Sequence, residues 1–345
     1  MRLLLITQKV DKDDDVLGVY HHWIEELAKK VENISVICLY KGTAELPPNV
    51  QVYSLGKEDG ISRIKYLFNF YKYLWQLRGK YDRVFAHMNP EYMLLAGIFW
   101  RSTGKKPILW YNHPMGDLKA RIAISLAERV LHTSPFAFAA RYKKAVLMPV
   151  GIDTNLFKKI SGIAKKPKSI LYLGRISPIK FIEVLIESAF ILDKEGVDFF
   201  LTIAGEPSKE SEIAYANSIK RSAEPLVKKG KIIFTKGVPN YKTPELYNAH
   251  EICVNMTPTG SFDKTIIETM ACESLVIASN KAISDVLPRP LFFEEKNAAD
   301  LARALKSALN LSGREKEEIG TGLRKYVLGR HDLGALIERL SEILK

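Results

Sequence analysis

Two basic residues, Arg175 and Lys180, follow an apolar run that ends in a glycine, Ile170-Leu171-Tyr172-Leu173-Gly174. Such a run is typical of a parallel strand buried on both faces, and its glycine permits a sharp turn at the strand's carboxyl end. Pro178 and the apolar spacing beyond it predict a helix directly afterwards. Because open α/β sheets bind ligands at the carboxyl ends of their strands, Arg175 and Lys180 are candidates for holding a diphosphate. The alternative is a pair of solvated surface cations.

A second stretch, Met256–Ala271, combines a strand end, a loop of small residues and a helix that begins near Asp263. The free N–H groups and the positive dipole end of a helix start suit phosphate oxygens. Glu268, about one turn inside, has a carboxylate that accepts hydrogen bonds from vicinal hydroxyls such as those of a ribose. The alternatives are that Asp263 only caps the helix and that Glu268 is an exposed helix residue. Gly18, before a helix expected over Val19–Lys30, is a third and weaker phosphate candidate.

The elements that must position these residues follow one pattern, in which short apolar strands alternate with amphipathic helices. This alternation predicts a doubly wound parallel sheet in each half of the chain. A Lys-, Gly- and Pro-rich stretch over 151–169 separates the halves, so we expect a first domain over 1–155, a second over 156–325 and a terminal helix over 326–345. The expected strands are Arg2–Thr7, Ser35–Tyr40, Val52–Leu55, Arg83–His87, Pro107–Tyr111, Val130–Thr133, Ala145–Val150, Ser169–Leu173, Phe199–Gly205, Ile232–Lys236, Ile252–Met256, Leu275–Ala278 and Leu291–Phe293.

The composition is that of an ordinary soluble globular protein, with 345 residues, 47% apolar and 26% charged. The three cysteines are far apart, which disfavours a disulfide framework or a zinc site and favours a reducing compartment, so we expect a cytoplasmic protein. The N-terminal apolar run is too short for a signal peptide. The longest apolar stretch, Tyr92–Trp100, is about half of what a membrane-spanning helix needs.

The net charge of +12 is concentrated in the first half, where residues 1–150 carry 22 basic and 14 acidic side chains. The stretch Ile61–Lys80 contains five cations, many aromatic residues and no acid, a composition that suits an anionic membrane interface. The alternative is a helix covered by a neighbouring loop. On a helical projection the expected core stripe is Ile64, Leu67, Phe68, Tyr71, Leu74 and Trp75, and the expected solvent-facing stripe is Tyr66, Phe70, Tyr73 and Leu77.

Three segments together resemble the GT-B glycosyltransferases of family four, the retaining, nucleotide-sugar-dependent "group 1" transferases. The segments are Leu171–Lys180, Leu201–Pro207 and Thr257–Ala271, the last followed by the strand Leu275–Ser279. Tyr111–His113 in the first half also matches the family, as does Met148–Asp153 with Phe157 at the domain junction. The resemblance spans essentially the whole chain, and the segments occur in the family's order.

The resemblance implies two Rossmann-like domains that face a central cleft, with the terminal helix crossing back to the first domain. It implies sugar transfer from a nucleotide-diphosphate sugar to a saccharide or lipid-linked acceptor, with retention of configuration and at the inner face of a membrane or in the cytoplasm. It assigns Arg175 and Lys180 to the diphosphate, Glu268 to the ribose and His113 to the donor sugar, the alternative for His113 being an interior histidine. The other donor-binding positions that it implies are Gly18, Gly174, Gly205, Glu206, Ser261, Phe262, Asp263, Lys264 and Thr265. No cofactor or metal is expected, since the two cations stabilise the leaving diphosphate and no Asp-x-Asp pair ends a strand.

Two departures from the family pattern affect the sugar end of this site. The family commonly has two glutamates eight positions apart, whereas here the first position is Gly260 and Ser261-Phe262-Asp263 replaces the usual Gly-Phe-Gly. A single Gly18 follows Asp13-Asp14-Asp15 where a glycine pair is common. Two alternatives therefore stay open, a nucleotide-sugar epimerase of the same architecture and a catalytically silent nucleotide-sugar-binding subunit. Nucleic-acid binding is not expected, because no helix-turn-helix, zinc-finger or RNA-binding motif occurs.

Overall fold

The computed structural model describes residues 1–14 and 17–345, which divide into two compact units. The first unit comprises Met1–Gly151 and Leu333–Lys345, and the second comprises Ile152–Asp332. The chain therefore leaves the first unit at Gly151 rather than at 155. The expected terminal segment 326–345 is divided, because residues up to Asp332 belong to the second unit.

The first unit is a parallel sheet with helices on both faces. Its strands are β1 (Arg2–Val10), β2 (Asn33–Lys41), β3 (Val50–Ser54), β4 (Arg83–His87), β5 (Pro107–Trp110), β6 (Arg129–His132) and β7 (Ala145–Leu147), in the order β3-β2-β1-β4-β5-β6-β7. Its helices are α1 (Gly18–Ala28), α2 (Arg63–Leu77), α3 (Pro90–Ser102), α4 (Leu118–Leu126) and α11 (Leu333–Leu344).

The core of the first unit lies in two layers, one on each side of the sheet. Successive residues of β1 alternate between them, because side chains of a strand point to opposite faces. Leu4 and Ile6 pack in the layer beneath α2, α3 and α4, whereas Leu3 and Leu5 pack in the layer beneath α1 and α11. Burial on both faces explains why the strands of this sheet are continuously apolar.

Except for Leu74, which is buried as predicted, the two stripes of α2 are reversed relative to the prediction. Phe70, Leu74 and Leu77 are buried, and Tyr66 and Tyr73 pack against the same core layer. Most of the expected core stripe faces solvent instead, namely Ile64, Leu67, Phe68, Tyr71 and Trp75. Both stripes have helical spacing and similar hydrophobicity, so periodicity alone does not show which one meets the sheet.

The second unit has a smaller parallel sheet. Its strands are β8 (Lys166–Leu173), β9 (Phe200–Ala204), β10 (Ile232–Thr235), β11 (His250–Asn255) and β12 (Leu275–Ala278), in the order β10-β9-β8-β11-β12. Its helices are α5 (Ile182–Lys194), α6 (Glu210–Lys228), α7 (Thr243–Ala249), α8 (Lys264–Ala271), α9 (Ala298–Leu309) and α10 (Gly313–Arg330). The strand order reverses between β8 and β11, and such a switch point opens a crevice for ligands at the carboxyl ends of its strands.

Two local predictions in this unit are wrong. The expected strand Leu291–Phe293 is a short 3₁₀ turn over Arg289–Leu291 followed by an isolated bridge between Ala278 and Phe292. Pro288 precedes the turn and Pro290 lies within it, and prolines lack the N–H that a sheet ladder needs. Likewise Pro178 begins a separate 3₁₀ turn, and α5 starts only at Ile182.

The three cysteines, Cys38, Cys253 and Cys272, are buried and free. Among the described residues, no helix combines the length and the apolar character that crossing a membrane requires.

Candidate functional site

Two glycine turns at the carboxyl edge of the second sheet fix the backbone of the site. Gly174 follows β8 and Gly205 follows β9, with φ values of 151° and 149°. Gly174 N–H donates to the carbonyl of Ala204 over 3.0 Å, and Ile176 N–H donates to that of Glu206 over 3.1 Å. A Cβ at Gly205 would lie 2.0 Å from the Gly174 carbonyl oxygen, so the two turns touch only because residue 205 has no side chain. The Glu206 side chain itself is exposed.

Arg175 lies directly after the first of these turns and reaches toward β9. Its Nη1 donates to Ser208 Oγ over 3.2 Å, and its Nε lies 3.7 Å from Glu212 Oε1. Glu212 also accepts from the Ser208 N–H and hydroxyl, at 3.0 and 3.2 Å. The side chain is 25% exposed, so Arg175 is a partly buried, paired cation rather than a solvated one.

Lys180 reaches in the opposite direction, across the switch point to the loop after β11. Its ammonium donates to Thr257 Oγ1 over 3.0 Å and forms an ion pair with the Asp263 carboxylate, while its side chain is 18% exposed. The other oxygen of Asp263 accepts from the Thr265 N–H over 3.1 Å. Burial alone would raise the pKa of Asp263, but the Lys180 charge and these hydrogen bonds lower it overall. Asp263 is therefore ionised, and it both caps α8 and positions Lys180.

Side-chain hydrogen bonds from two asparagines fix the loop before α8 and the start of that helix. Asn280 Nδ2 donates to the carbonyls of Ser261 and Pro258, at 2.5 and 3.3 Å, and Asn255 Nδ2 donates to Thr265 Oγ1 over 2.9 Å. Phe262 is buried, with its ring 5.8 Å from that of His331. The start of α8 is thus held rigidly beside Lys180, as an anion site at a helix N-terminus requires.

Glu268 is buried at 3% exposure, so the alternative of an exposed helix glutamate is wrong. Its Oε1 accepts from Asn240 Nδ2 over 3.0 Å and its Oε2 accepts from the Tyr247 hydroxyl over 2.7 Å. Burial raises the pKa of Glu268, and these two hydrogen bonds oppose the rise. Lys264 lies one turn earlier on α8, where burial lowers its pKa to about 7 against the attraction of the Glu268 and Asp263 carboxylates.

Gly260, where the sequence resemblance predicts a departure from the family's first glutamate, is buried and has φ of 107°. Only glycine adopts such a backbone conformation without strain. The replacement at this position is therefore built into the loop conformation, and a glutamate side chain would not simply fit in its place.

The remaining predicted residues lie in the first unit. His113 is in the loop after β5, its carbonyl accepts from the Phe138 N–H over 2.8 Å, and its ring is 5.1 Å from that of Tyr111. Its side chain is exposed rather than interior. Gly18 begins α1, and a Cβ there would lie 2.9 Å from the Lys12 carbonyl oxygen, so close packing of the backbone explains this glycine.

Sequence patterns do not reveal the side chains that hold the predicted site residues in place. They are Ser208 and Glu212 for Arg175, Thr257 for Lys180, Asn240 and Tyr247 for Glu268, and Asn280 for the loop before α8. Most of them come from elements distant in sequence. No local spacing signals them, and only the tertiary fold brings them to the site.

A parallel α/β unit with paired cations and a capped helix start at its switch point is typical of nucleotide-binding enzymes. Residues 153–325, half of the chain, match the family model of the group 1 glycosyl transferases. The chain belongs to the group 1 glycosyltransferase family.

Three relatives show the range of this similarity. Mannosylfructose-phosphate synthase of Agrobacterium fabrum is 26% identical over 39% of this chain and 32% of its own length. D-inositol 3-phosphate glycosyltransferase of Paenarthrobacter aurescens is 24% identical over 61% and 60%. Alpha-monoglucosyldiacylglycerol synthase of Streptococcus pneumoniae is 31% identical over 43% and 33%. The matches thus cover between 32% and 60% of the lengths of these relatives.

Solved structures extend the similarity of fold to the whole chain. A glycosyltransferase from Rickettsia africae has a TM-score of 0.77 at 17% identity, covering 100% of this chain and 98% of that one. A trehalose-6-phosphate protein from E. coli bound with UDP-2-fluoro glucose has a TM-score of 0.76 at 11% identity, covering 100% and 99%. The predicted GT-B fold, built from two Rossmann-like parallel sheets, is confirmed.

Proposed function

We propose that this protein transfers a sugar from a nucleotide-diphosphate sugar to a saccharide or lipid-linked acceptor, with retention of configuration and without a divalent metal. Membership of the group 1 family supports sugar transfer, and the relatives' names include a synthase of a sugar phosphate and one of a glycolipid. The observation that carries the donor assignment is the placement of Arg175 and Lys180 around the carboxyl end of β8, each held by its own carboxylate.

Both cations have N–H donors left over to bind phosphate oxygens. An ammonium has three N–H donors, and Lys180 directs its bonds to Thr257 and Asp263. A guanidinium has five, and within the described residues that of Arg175 contacts Ser208 and Glu212. The carboxylates fix the direction of each cation, so a bound diphosphate would meet donors already in place.

In the proposed reaction the bond between the sugar's anomeric carbon and the diphosphate oxygen breaks while the acceptor oxygen bonds to the same face of that carbon. Negative charge grows on the leaving diphosphate, and the charges of Arg175 and Lys180 stabilise it without reorganisation. The acceptor hydroxyl proton passes to the leaving phosphate oxygen, which balances the transfer. We place His113 beside the donor sugar in this scheme, on the basis of the family resemblance.

The ribose of the donor is assigned to Glu268. A carboxylate offers about four lone-pair positions, and the bonds from Asn240 and Tyr247 use one on each oxygen. The remaining positions suit the vicinal hydroxyls of a ribose. The start of α8, with Ser261, Phe262, Lys264 and Thr265, is assigned to the phosphate and the sugar.

The proposal is tested by thermal shift and turnover assays on a panel of nucleotide sugars with simple saccharide and lipid acceptors. A bound donor should raise the melting temperature by mass action. Arg175→Ala and Lys180→Ala should each lower kcat by at least about 10²-fold, because each removes a charge that stabilises the leaving group. Arg314→Ala and Lys228→Ala are matched controls, since these two exposed cations also pair with carboxylates but lie on outer helices.

The outcomes separate the proposal from its alternatives. Full turnover in both site variants would overturn the assignment of the diphosphate. Conversion of the donor without an acceptor would identify an epimerase. Donor binding with neither transfer nor hydrolysis would identify a silent nucleotide-sugar-binding subunit.

A further inference from the structure

The outer side of the α2, α3 and α4 layer exposes large apolar side chains. On α2, Phe68 and Trp75 are 69% and 65% exposed, and on α3 Ile98 is 71% exposed. We call this surface the outer face; its apolar members are Ile64, Leu67, Phe68, Tyr71, Trp75, Leu95, Ile98, Met115, Leu118 and Ile122. Isolated apolar residues are common on protein surfaces, but so many on one layer are typical of an interaction site.

The three helices form one surface, because they pack side by side on the same core layer. Tyr71 Oη of α2 donates to the Leu95 carbonyl of α3 over 3.1 Å. Arg101 Nη1 of α3 donates to the Ser125 carbonyl of α4 over 3.3 Å. Gly97 of α3 allows a close approach of α4, since a Cβ there would lie 3.0 Å from side-chain atoms of Leu126. The exposed residues Tyr71 of α2 and Leu95 of α3 therefore adjoin, and α3 packs closely on α4.

The charges of the outer face are mostly positive. The helices α2, α3 and α4 carry one acid, Glu91, and the exposed N-cap of α4, Asp117, is a second. The same helices carry six cations, Arg63, Lys65, Lys72, Arg101, Lys119 and Arg121. All six cations are exposed, and across residues 1–14 and 17–345 none of them is in a salt bridge. An apolar surface with basic residues among and around its aromatic side chains is complementary to anionic headgroups above an acyl layer.

We propose that the outer face docks on the surface of an anionic lipid bilayer. The apolar side chains enter the boundary between headgroups and acyl chains, and the lysines and arginines contact lipid phosphates. A second copy of this chain is disfavoured as the occupant, because self-docking would bring two like-charged sets of cations together. The inference goes beyond the proposed sugar transfer and does not depend on it.

The tryptophans provide a direct measurement. All four lie in the described residues, and Trp23, Trp100 and Trp110 are at most 5% exposed, whereas Trp75 is 65% exposed. Vesicles of phosphatidylcholine and phosphatidylglycerol at a 7:3 ratio should therefore shift the emission to the blue and protect it from a soluble quencher. Pure phosphatidylcholine vesicles, or the mixed vesicles at high salt, should do so much less, because salt screens the attraction of cations to the surface.

Vesicle flotation with three double variants tests which residues carry the binding. Phe68→Ser with Trp75→Ser, and separately Lys65→Gln with Lys72→Gln, should each weaken binding to the mixed vesicles by about tenfold or more. Phe190→Ser with Leu328→Ser is the matched control; these residues are 37% and 47% exposed in the second unit, and the control should bind like the wild type. All replaced side chains are partly or largely exposed, and circular dichroism checks that the variants are folded.

Three results would overturn the inference. They are unchanged flotation of both outer-face variants, equal binding to neutral and anionic vesicles, and a Trp75 emission shift that follows protein concentration without lipid. The last result would identify a second copy as the occupant. Donor turnover with a water-soluble acceptor, measured on the same variants, keeps this result separate from the test of sugar transfer.

Discussion

The carboxyl edge of the second sheet and the outer face of the first unit hold their cations in opposite ways. Arg175 and Lys180 are partly buried, and each is oriented by a carboxylate and a hydroxyl. The six cations of the outer face are exposed, and within the described parts of the chain none of them forms a salt bridge. Fixed cations suit one anion in a defined geometry, whereas mobile exposed ones suit a diffuse anionic surface.

The apolar residues of the two regions also differ, because those of the candidate site are buried and those of the outer face are exposed. Phe262 and the inner residues of α8 are buried and hold the candidate site rigidly. Phe68 and Trp75 are largely exposed, with the Arg78 guanidinium 4.1 Å from the centroid of the Trp75 ring. Composition alone therefore does not distinguish a binding site from a docking surface. The distinction comes from whether the chain itself satisfies each charge and covers each apolar group.

The strongest test of this contrast compares neighbouring residues on α2. Phe70→Ala should lower the free energy of unfolding by about 3–5 kcal/mol, because it leaves a cavity beneath α2. Phe68→Ala should change it by less than about 0.5 kcal/mol, because Phe68 is 69% exposed and Phe70 only 1%. Urea unfolding of both variants measures the difference. Equal losses would show that the outer face is part of the core, and would remove the basis for a docking surface there.

Local sequence patterns predict the strands of this fold but not which face of α2 is buried. All but one of the strands expected from apolar runs are present, because strands buried on both faces are apolar throughout. The bounds of α1 were predicted to within two residues, and the start of α8 to within about one, because the capping residue Asp263 marks it. The orientation of α2 was not predictable, since its two stripes are equally apolar and only the position of the sheet distinguishes them.

In the candidate site, the residues within one short motif were predictable, whereas their long-range partners were not. Gly174, Arg175 and Lys180 follow a strand within one short segment, so a motif reveals them. The partner of Arg175, Glu212, lies on α6, and that of Glu268, Tyr247, lies on α7. Long-range partners of this kind are set by the topology of the sheet, which a single local pattern does not contain.

The second unit should also lose stability in acid. Burial, assisted by the charge of Arg330, lowers the pKa of His331 to about 4, and its ring packs near Phe262 of the candidate site. An unfolded histidine titrates near 6.5, so between pH 6.5 and 4 the unfolded chain binds more protons than the folded one. The stability that His331 contributes is therefore present above pH 6.5 and is lost as the pH falls through this window, by about 3 kcal/mol below pH 4.

Urea unfolding of wild type and His331→Gln at intervals from pH 7 to pH 4 measures this contribution. The stability of the wild type should fall more steeply than that of the variant. Identical slopes would show that His331 does not titrate in this window.

The smallest expected effect concerns Gly260, where the predicted departure from the family pattern coincides with a backbone conformation that favours glycine. Gly260→Glu introduces the family's carboxylate at a buried residue with φ of 107°, and such strain costs about 1–3 kcal/mol. We expect lower stability and no gain in donor affinity, because the side chain forces the loop before α8 to move. Gly162→Glu is the matched control; Gly162 has φ of 90°, but a Cβ there meets nothing within 4 Å, so the control measures backbone strain without crowding. If Gly260→Glu instead binds donor more tightly and stays as stable as the wild type, the loop is adaptable. The rigid positioning that distinguishes this region from the outer face would then not extend to the sugar end of the site.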